Sequence, residues 1–492
     1  RYLVWQSQYW RRRGVPGPTP QLFFGNVTGL NKYDHPMPMK VHEWTKEFGK
    51  VYGYKDGVRN VLVISDMDMV NDVFVKQFDA FYARRVSAPP LAQDTDKNPR
   101  VHLFEAKGSR WKRLRALASP SFSINSLKKI RPIIEDSAIK MVYLMEQKQR
   151  DGKPFNIQPF FSEFTLDSIC RLVFGQKEST MFENPRMEFV QSIFLQNLDR
   201  PIFRIAAGSP TVGRALRNLA SKVCNESSIG DLIRLFPVWY ECQQVSRTYE
   251  RYRDDADFID LFLDNAAEFD FQNHGEFSTQ DSVTKALTVD EVIAQAVVFL
   301  LAGYDTTSNA LAYTAWMLSR HHDVMKRCQE EIDDVCSDSS ISYEDCQNMR
   351  YLDAVCRETL RFYPLAARAL SRTCMKDTTV GNYDIAKDTV VMADTYAVHF
   401  SEELWGEDAH EFRPERWMDQ EKRVAALNFL TFGAGHRLCI GMRLATMEEK
   451  IALAHLLRRF DILADEKVSD LKLIGSVTTT PSEVIVKIRV RS

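Results

Sequence analysis

Residues 431–441 read TFGAGHRLCIG, a loop with three glycines and one cysteine. A helical pattern follows this loop from about Met442 to Phe460. The glycines allow sharp turns and a close approach to a neighbouring group, because they have no Cβ. Cys439 lies where the helix begins, and we expect the helix dipole and the free N–H groups to lower its thiol pKa. A thiolate in such a loop suits a redox iron as an axial ligand.

The spacing within this loop resembles the haem-binding signature of the cytochrome P450 family, which is filled at Phe432, Gly435, Arg437, Cys439 and Gly441. The resemblance implies that Cys439 is the axial thiolate ligand of haem b and that Arg437 contacts a haem propionate. It also implies that Phe432 packs beside the sulfur and that Gly441 lets the next helix run against the porphyrin. A buried structural cysteine is the commoner fate of a single Cys, but five filled signature positions argue against it here.

The composition is that of a large globular protein. A chain of 492 residues would ordinarily divide into two or three domains, but no interior segment has the composition of a linker. We therefore predict one large, mostly α domain with a small β-rich part, and the resemblance implies a single P450-type haem-thiolate domain. The net charge of −2 argues against nucleic-acid binding. Nine cysteines without a CxxC pair suit a reducing compartment.

The first twenty residues combine aromatic and basic side chains with prolines. Trp5, Tyr9 and Trp10 precede three arginines at 11–13, and prolines follow at 16, 18 and 20. Aromatic residues beside a basic cluster are typical of the cytosolic border of a membrane span. Microsomal P450s look similar, so we expect a membrane-proximal segment at 1–20, a catalytic domain at 21–492 and an upstream apolar span of roughly 20 residues. The resemblance implies the endoplasmic reticulum membrane with the domain facing the cytosol. A disordered basic N-terminus is the alternative.

A second motif lies in a long helical pattern that runs from a capping box at Thr288 and Glu291 to about His321. Ala302, Gly303, Asp305 and Thr306 interrupt its apolar residues. Glycine and mid-helix hydroxyls are unfavourable there unless they have a function. The segment resembles the oxygen-activation motif of the same family, which implies that Asp305 and Thr306 are catalytic proton relays. It also implies that the small Ala302 and Gly303 leave room above the haem. A helix kink stabilised by threonine back-bonding is the alternative.

Further contacts with the haem follow from the resemblance. Trp111 and Arg115 are four residues apart on a helical pattern and resemble the WxxxR pair that bonds a propionate. Arg84 and Arg372 resemble two other propionate contacts. The resemblance also implies that residues 366–368 and the turn at 476–479 line the substrate pocket.

A structural network is implied by an ExxR pair and a later arginine. Glu358 and Arg361 are three residues apart on a helical pattern, and Arg416 lies in a segment that resembles the family's PERF motif. We predict a buried, non-catalytic ion network of these three residues. A solvated surface pair is the ordinary alternative.

The whole chain resembles the xenobiotic-metabolising animal microsomal P450s, which implies a monooxygenase. It would insert one atom of O2 into an apolar organic substrate, such as a xenobiotic, a steroid or a fatty-acid-like compound. Electrons would come from NADPH through NADPH–cytochrome P450 reductase, with cytochrome b5 as a second candidate partner. A basic docking face is predicted from scattered cations: Lys112, Arg113, Lys128, Lys129, Arg443 and Lys450.

Other classes of function fit less well. A haem-thiolate isomerase or sensor would keep the cysteine loop without a need for Asp305 and Thr306. A nucleotide-binding dehydrogenase is disfavoured, since Leu438 stands where the third glycine of GxGxxG belongs. Outside these motifs, Asp56-Gly57 predicts a β-hairpin turn, residues 87–98 and 270–285 predict loops, and residues 189–256 predict short helices with a mobile connection.

Overall fold

The computed structural model describes residues 2–30, 32–84, 98–150, 152–194, 201–209, 212, 215, 286–419 and 425–491. The predicted loop at 270–285 and nearly all of the predicted loop at 87–98 lie outside these residues, as does most of the 189–256 segment. In the described part helices predominate and the strands are short, which confirms the prediction of a mostly α fold with a small β part.

The helices and strands follow in chain order. The α-helices are α1 (Tyr2–Ser7), α2 (Val27–Leu30), α3 (Met37–Phe48), α4 (Met67–Asn71), α5 (Gly108–Ala118), α6 (Ile124–Gln149), α7 (Gln158–Phe174), α8 (Met187–Phe194), α9 (Pro201–Gly208), α10 (Val289–Arg320), α11 (His322–Val335), α12 (Tyr343–Asn348), α13 (Arg350–Phe362), α14 (Thr395–His399), α15 (Glu402–Trp405) and α16 (Met442–Arg459). The strands are β1 (Val51–Asp56), β2 (Arg59–Ile64), β3 (Phe155–Asn156), β4 (Ser371–Thr373), β5 (Thr378–Val380), β6 (Tyr383–Ile385), β7 (Val390–Ala393), β8 (Phe460–Ala464), β9 (Leu473–Ile474), β10 (Thr480–Pro481) and β11 (Ile485–Val490).

The largest sheet among the described residues has the strand order β1-β2-β7-β4. Strands β1 and β2 form an antiparallel hairpin in which Asp56 pairs with Arg59, so the predicted turn at Asp56-Gly57 is confirmed. Gly57 has a φ of +63°, a left-handed conformation that glycine adopts without strain. Strand β7 joins β2 in parallel, and β4 pairs with β7 antiparallel at the edge of the sheet.

Helix α10 is the central element, and it packs against α7, α13, α16 and β8. Its capping box is confirmed: the Glu291 N–H donates to Oγ1 of Thr288, and the Thr288 N–H donates to Oε2 of Glu291, each at 3.2 Å. The same buried carboxylate accepts hydrogen bonds from Arg110 and Arg113 of α5. The start of α10 is therefore tied to α5.

The N-terminal residues pack on the β1–β2 sheet. Tyr9 and Trp10 are buried, and Nε1 of Trp10 donates to the Tyr54 carbonyl at 3.0 Å. The Gly53 N–H donates to the Pro16 carbonyl at 2.8 Å. The sheet covers the rings of Tyr9 and Trp10, so of these three aromatic residues in the predicted membrane-proximal segment only Trp5 is exposed. In the described part of the chain, no helix is both long and apolar enough to cross a bilayer.

The predicted ion network is confirmed and is fully buried. Glu358 accepts hydrogen bonds from Arg361 at 3.0 and 2.8 Å and from Nε of Arg416 at 2.9 Å. The Arg413 N–H and the Trp417 indole also donate to this carboxylate. Both oxygens of the Glu358 carboxylate therefore accept hydrogen bonds, and its charge is paired. A buried carboxylate is tolerated under these two conditions.

This network extends to the cysteine loop through His399. Burial lowers the pKa of His399 to about 3, so the ring is neutral. Its Nδ1 lies 3.0 Å from the Arg361 carbonyl, and its Nε2 accepts from the Leu430 N–H at 2.9 Å. The Thr431 hydroxyl donates to the Leu360 carbonyl at 3.0 Å. The network therefore supports the residues at which the cysteine loop begins.

Replacing Glu358 by alanine should lower the free energy of unfolding by about 3–5 kcal/mol, because two buried guanidinium groups lose their counter-ion. Haem content should fall as well, since the cysteine loop loses its support. Urea unfolding and the ratio of haem to protein measure both effects.

Arg357→Ala is the matched control on the same helix. Arg357 pairs with Asp353 at 2.7 Å and is about half exposed, and such surface pairs contribute about 0–1 kcal/mol. Equal small losses in both variants would contradict the structural role of the network.

Candidate functional site

A cavity of about 270 Å³ lies between α10, α5, α7 and the cysteine loop. All of the predicted site residues except Asp305 and Arg372 line it. These residues are Arg84, Trp111, Arg115, Ala302, Thr306, Phe432, Arg437, Cys439 and Gly441. The fold therefore brings together residues that are more than 350 positions apart in the sequence.

The cysteine loop takes its shape from two glycines. Gly433 and Gly435 have φ values of +82° and +63°, and a Cβ on Gly435 would lie 2.0 Å from the Phe74 carbonyl oxygen. The Cys439 N–H donates to the Phe432 carbonyl at 2.8 Å, which closes the loop. Gly441 has a φ of −87° and needs no left-handed conformation. Its place in the cavity lining, where only the Phe122 ring comes near, leaves room beside the start of α16.

Cys439 is exposed to this cavity, whereas the other cysteines in the described ranges are buried. Burial raises the pKa of the Cys439 thiol, while the N–H groups of Gly441 and Met442 and the charges of Arg84 and Arg115 lower it. The predicted effect of the helix start is present, but the expected net lowering of the pKa is wrong because burial dominates. Coordination to a metal ion deprotonates a thiol, so a metal cation would supply the stabilisation that the protein alone does not.

Four buried or partly buried arginines surround the same region: Arg84, Arg115, Arg372 and Arg437. None of them forms an ion pair with any residue that the structure describes. The Nε atoms of Arg84, Arg372 and Arg437 are buried without a hydrogen-bond partner. Burial lowers the pKa of all four, to about 10 for Arg84, and the charges of the neighbouring arginines add to this lowering for Arg84, Arg372 and Arg437.

Backbone carbonyls hold these arginines in place without neutralising them. Arg437 donates to the carbonyls of Tyr82 and Ala106 at 2.6 Å, and its guanidinium lies 4.4 Å from the centre of the Trp111 ring. Arg84 and Arg115 donate to carbonyls within the cysteine loop. Buried cations require a counter-ion, and a porphyrin with two propionates would supply it. The residues present therefore fit haem.

Helix α10 contributes Ala302, Gly303 and Thr306 to the cavity lining. The Thr306 hydroxyl donates to the Ala302 carbonyl at 2.7 Å, yet the helix continues without interruption from Val289 to Arg320. The threonine back-bond of the alternative is therefore present, and the segment stays helical on both sides of it. A Cβ on Gly303 would lie 3.0 Å from the Ile169 side chain, so glycine at this position also permits close packing of α7.

Asp305 lies on another face of α10 and is not part of the cavity lining. Its Oδ2 accepts a hydrogen bond from the Thr478 hydroxyl at 2.5 Å. Burial raises the pKa of Asp305 to about 6, and hydrogen bonds from Thr478 and Asn309 lower it. The structure thus separates the two predicted proton relays, with Thr306 facing the cavity and Asp305 facing the C-terminal turn.

The residues that line the substrate side of the cavity are only partly those that the sequence predicted. Leu365, Ala366, Ala369 and Leu370 line it, whereas Ala367, Arg368 and the turn at 476–479 do not. Arg368 donates to the Ser476 carbonyl at 3.1 Å, so this side chain is directed at the turn. The prediction that these residues line the pocket is correct only for Ala366.

Two acidic residues of the lining were not predicted. Glu448 and Glu449 on α16 are buried, and burial raises their pKa values to about 8 and about 7. Hydrogen bonds from Thr307 and Thr314 of α10 partly offset this effect. Two adjacent glutamates on the helix that follows the cysteine loop were the signal that could have identified them.

A cysteine that faces a cavity ringed by uncompensated arginines defines the class of haem-thiolate proteins. Comparison with known families agrees, since the family described as Cytochrome P450 matches residues 15–488. The chain belongs to the cytochrome P450 family. It is therefore a P450-type oxidoreductase with haem as its cofactor, and monooxygenation is the general chemistry of this family.

Two proteins of Caenorhabditis elegans are among its relatives. The chain is 41 % identical over 507 residues to "Putative cytochrome P450 CYP13A3", an alignment that covers 100 % of this chain and 96 % of the relative. It is 42 % identical over 503 residues to "Putative cytochrome P450 cyp-13B1", with 100 % and 97 % covered.

Replacing Arg84 by methionine should change the stability of the apoprotein and of the haem-loaded protein in opposite directions. In the apoprotein the variant removes a buried charge that has no counter-ion, so the free energy of unfolding should rise by on the order of 1–4 kcal/mol. In the haem-loaded protein it removes a partner of a propionate, so the free energy of unfolding should fall. Urea midpoints at unchanged slope measure both shifts.

Arg357→Met, at the surface pair described above, is the control and should shift both forms equally. If Arg84→Met shifts the urea midpoints of the apoprotein and of the haem-loaded protein in the same direction, Arg84 does not neutralise a haem propionate.

Proposed function

We propose that the protein is a monooxygenase that inserts one atom of O2 into an apolar organic substrate. The other oxygen atom leaves as water, which consumes two electrons from NADPH and two protons. The observation that carries this proposal is the joint presence of Cys439 and Thr306 in the lining of one largely apolar cavity. Haem, when bound, supplies an iron centre that can be reduced and can activate O2.

The residues of the chain divide the remaining tasks. Cys439 offers the thiolate, and the four arginines neutralise and orient the propionates. Thr306 holds a hydroxyl at the cavity surface, where it donates a hydrogen bond to the Ala302 carbonyl. In a relay this hydroxyl would release its own proton into the cavity and take a replacement proton from a neighbouring donor. Asp305 has a raised pKa because it is buried, so it can exchange protons near neutral pH. It would act behind Thr306, in the direction of the C-terminal turn.

The walls of the cavity define the chemical class of substrate. Val298 and Phe299 of α10 and Leu365 and Leu370 of the following segment are apolar. The cationic groups of the lining are already required by the haem. A substrate therefore gains most of its binding energy from burial of apolar surface, which favours xenobiotic, steroid or fatty-acid-like compounds.

The proposed electron donor is NADPH–cytochrome P450 reductase, with cytochrome b5 as a second partner. Of the predicted docking face, Arg113 and Lys450 are buried and paired with Glu291 and Asp353, so this part of the prediction is wrong. Lys128, Lys129 and Arg443 are exposed at the starts of α6 and α16. An acidic partner docked there would approach the side of the protein that carries Cys439.

The proposed location is the endoplasmic reticulum membrane, with the domain facing the cytosol. The exposed Trp5 and the arginines at 11–13 support it, since aromatic and basic side chains favour the cytosolic interface. Protease added to sealed microsomes should then reach the domain without detergent.

Thr306→Ala should leave haem binding intact and lower product formation roughly tenfold to a hundredfold, because a positioned proton donor is lost. NADPH consumption should continue, with peroxide or water as the result. The measurement is product formed per NADPH consumed, with Thr306→Ser expected to retain coupling.

Thr446→Ala is the matched control. The Thr446 hydroxyl donates to the Met442 carbonyl at 2.9 Å in the same back-bonding geometry, but it lies outside the cavity lining. Unchanged coupling in Thr306→Ala would show that another group or a chain of waters carries the protons. A wild-type protein that binds haem but forms no oxygenated product from NADPH and O2 would favour a haem-thiolate isomerase or sensor.

A further inference from the structure

A second cleft, of about 740 Å³, lies between α1, the β1–β2 turn and the segment between β6 and β7. Its lining is strongly basic for a protein of nearly neutral net charge. Arg12, Arg13, Arg59 and Lys387 face it, and Asp388 is the one acidic residue in the described lining. None of these residues belongs to the haem cavity.

Arg59 is the cation that the fold leaves most clearly without a counter-ion. It is partly buried, and in the part of the chain that the structure describes it forms no ion pair and no side-chain hydrogen bond. Burial lowers its pKa, and no acidic neighbour raises it. A guanidinium in this setting is a ready donor for an anionic oxygen.

Lys55 places a second uncompensated charge behind the same wall of the cleft. Its side chain is 5 % exposed, and Nζ donates to the Gln6 carbonyl at 3.3 Å and to Oδ1 of Asn60 at 3.0 Å. Both acceptors are neutral, and both residues line the cleft. A buried cation therefore lies behind two residues of the cleft lining, in addition to the cations at its surface.

Arg12 and Arg13 are held in position by aromatic rings. Their guanidinium groups lie 3.8 Å from the ring centres of Trp5 and Tyr9. Because a ring face restrains the guanidinium without neutralising it, both charges stay available to a ligand. The cleft is thus organised around several fixed donors for an anion.

Exposed apolar side chains lie in the lining of this cleft and on the two segments that contact its hairpin turn, and together they are called its mouth. Trp5 and Val58 belong to its lining and are 54 % and 45 % exposed. Phe23 is 60 % exposed, and its segment reaches the hairpin through the bridge between Gly25 and Asp56. Ile205 is also exposed, and α9 contacts the turn where the Val58 N–H donates to the Ala207 carbonyl.

We propose that this cleft binds the phosphate headgroup of an anionic membrane phospholipid. Arg59, Arg12, Arg13 and Lys387 would contact the phosphate, and the acyl chains would leave over the apolar residues at the mouth, which are Trp5, Phe23, Val58 and Ile205. Cations beside exposed apolar side chains match the boundary between headgroups and acyl chains. A soluble phosphate compound has no acyl chains that could contact the apolar mouth, and it is therefore the less favoured ligand.

The site adds a specific headgroup interaction to the proposed membrane location. The haem-loaded chain should bind vesicles of phosphatidylcholine with phosphatidylserine more tightly than vesicles of phosphatidylcholine alone. The double variant Arg59→Gln with Lys387→Gln should lose about fivefold in affinity per charge removed, and thus about 25-fold in total. Sedimentation with sucrose-loaded vesicles measures this change.

The matched control removes two charges elsewhere. Lys140→Gln with Lys148→Gln changes two exposed lysines of α6, a helix that lies outside the cleft lining. An equal loss of affinity in the control would overturn the proposal, because general surface charge would then explain the binding. Unchanged binding in the cleft variant would overturn it as well.

Two further results identify the source of the phosphate. Phe23→Ser with Val58→Ser should weaken binding to the anionic vesicles while the cations remain. Inorganic phosphate at equal concentration should not release the chain from them. Release by phosphate, together with full binding by the apolar variant, would assign the cleft to a soluble phosphate compound. The ferrous carbon monoxide spectrum should stay unchanged in all these variants, so a failed lipid site leaves the proposed oxygenase function intact.

Discussion

The mutual repulsion of four arginines is the constraint on which the rest of the structure depends. Arg84, Arg115, Arg372 and Arg437 come from four separate parts of the chain and converge without an ion pair to any described carboxylate. Carbonyl groups fix their positions, but only an anionic ligand can remove the cost of burying them. The fold is thus completed by its cofactor, and haem binding should be strongly coupled to stability.

A second network, in which all charges are neutralised, holds the cysteine loop and its thiol in position next to the four arginines. Glu358 satisfies Arg361 and Arg416, and His399 connects this network to the backbone at Leu430. One side of the cysteine loop therefore contacts an ion network whose charges are neutralised. The other side faces arginines that have no counter-ion. Rigidity on the first side and unsatisfied charge on the second together make the loop a receptor for a haem with two propionates.

Local patterns in the sequence were sufficient where a few neighbouring residues decide the structure. The capping box at Thr288 and the hairpin at Asp56-Gly57 follow from local backbone requirements. The site residues were instead predicted from the resemblance to the family, and nine of the eleven line the cavity. Side-chain direction across the fold was not predictable in this way. Asp305 and Thr306 are adjacent in the chain, but successive helical positions point to different faces. Whether Arg113, Lys450 and Trp10 are buried depends on partners more than 40 residues away.

The central claim, that Cys439 ligates a haem iron in this cavity, is tested most directly by the ferrous carbon monoxide spectrum of the haem-loaded chain beside that of Cys439→Ser. The account predicts the red-shifted band of thiolate ligation in the wild-type protein and its loss in the variant. A variant that keeps this band, or a wild-type protein that binds haem without it, would contradict the assignment of Cys439.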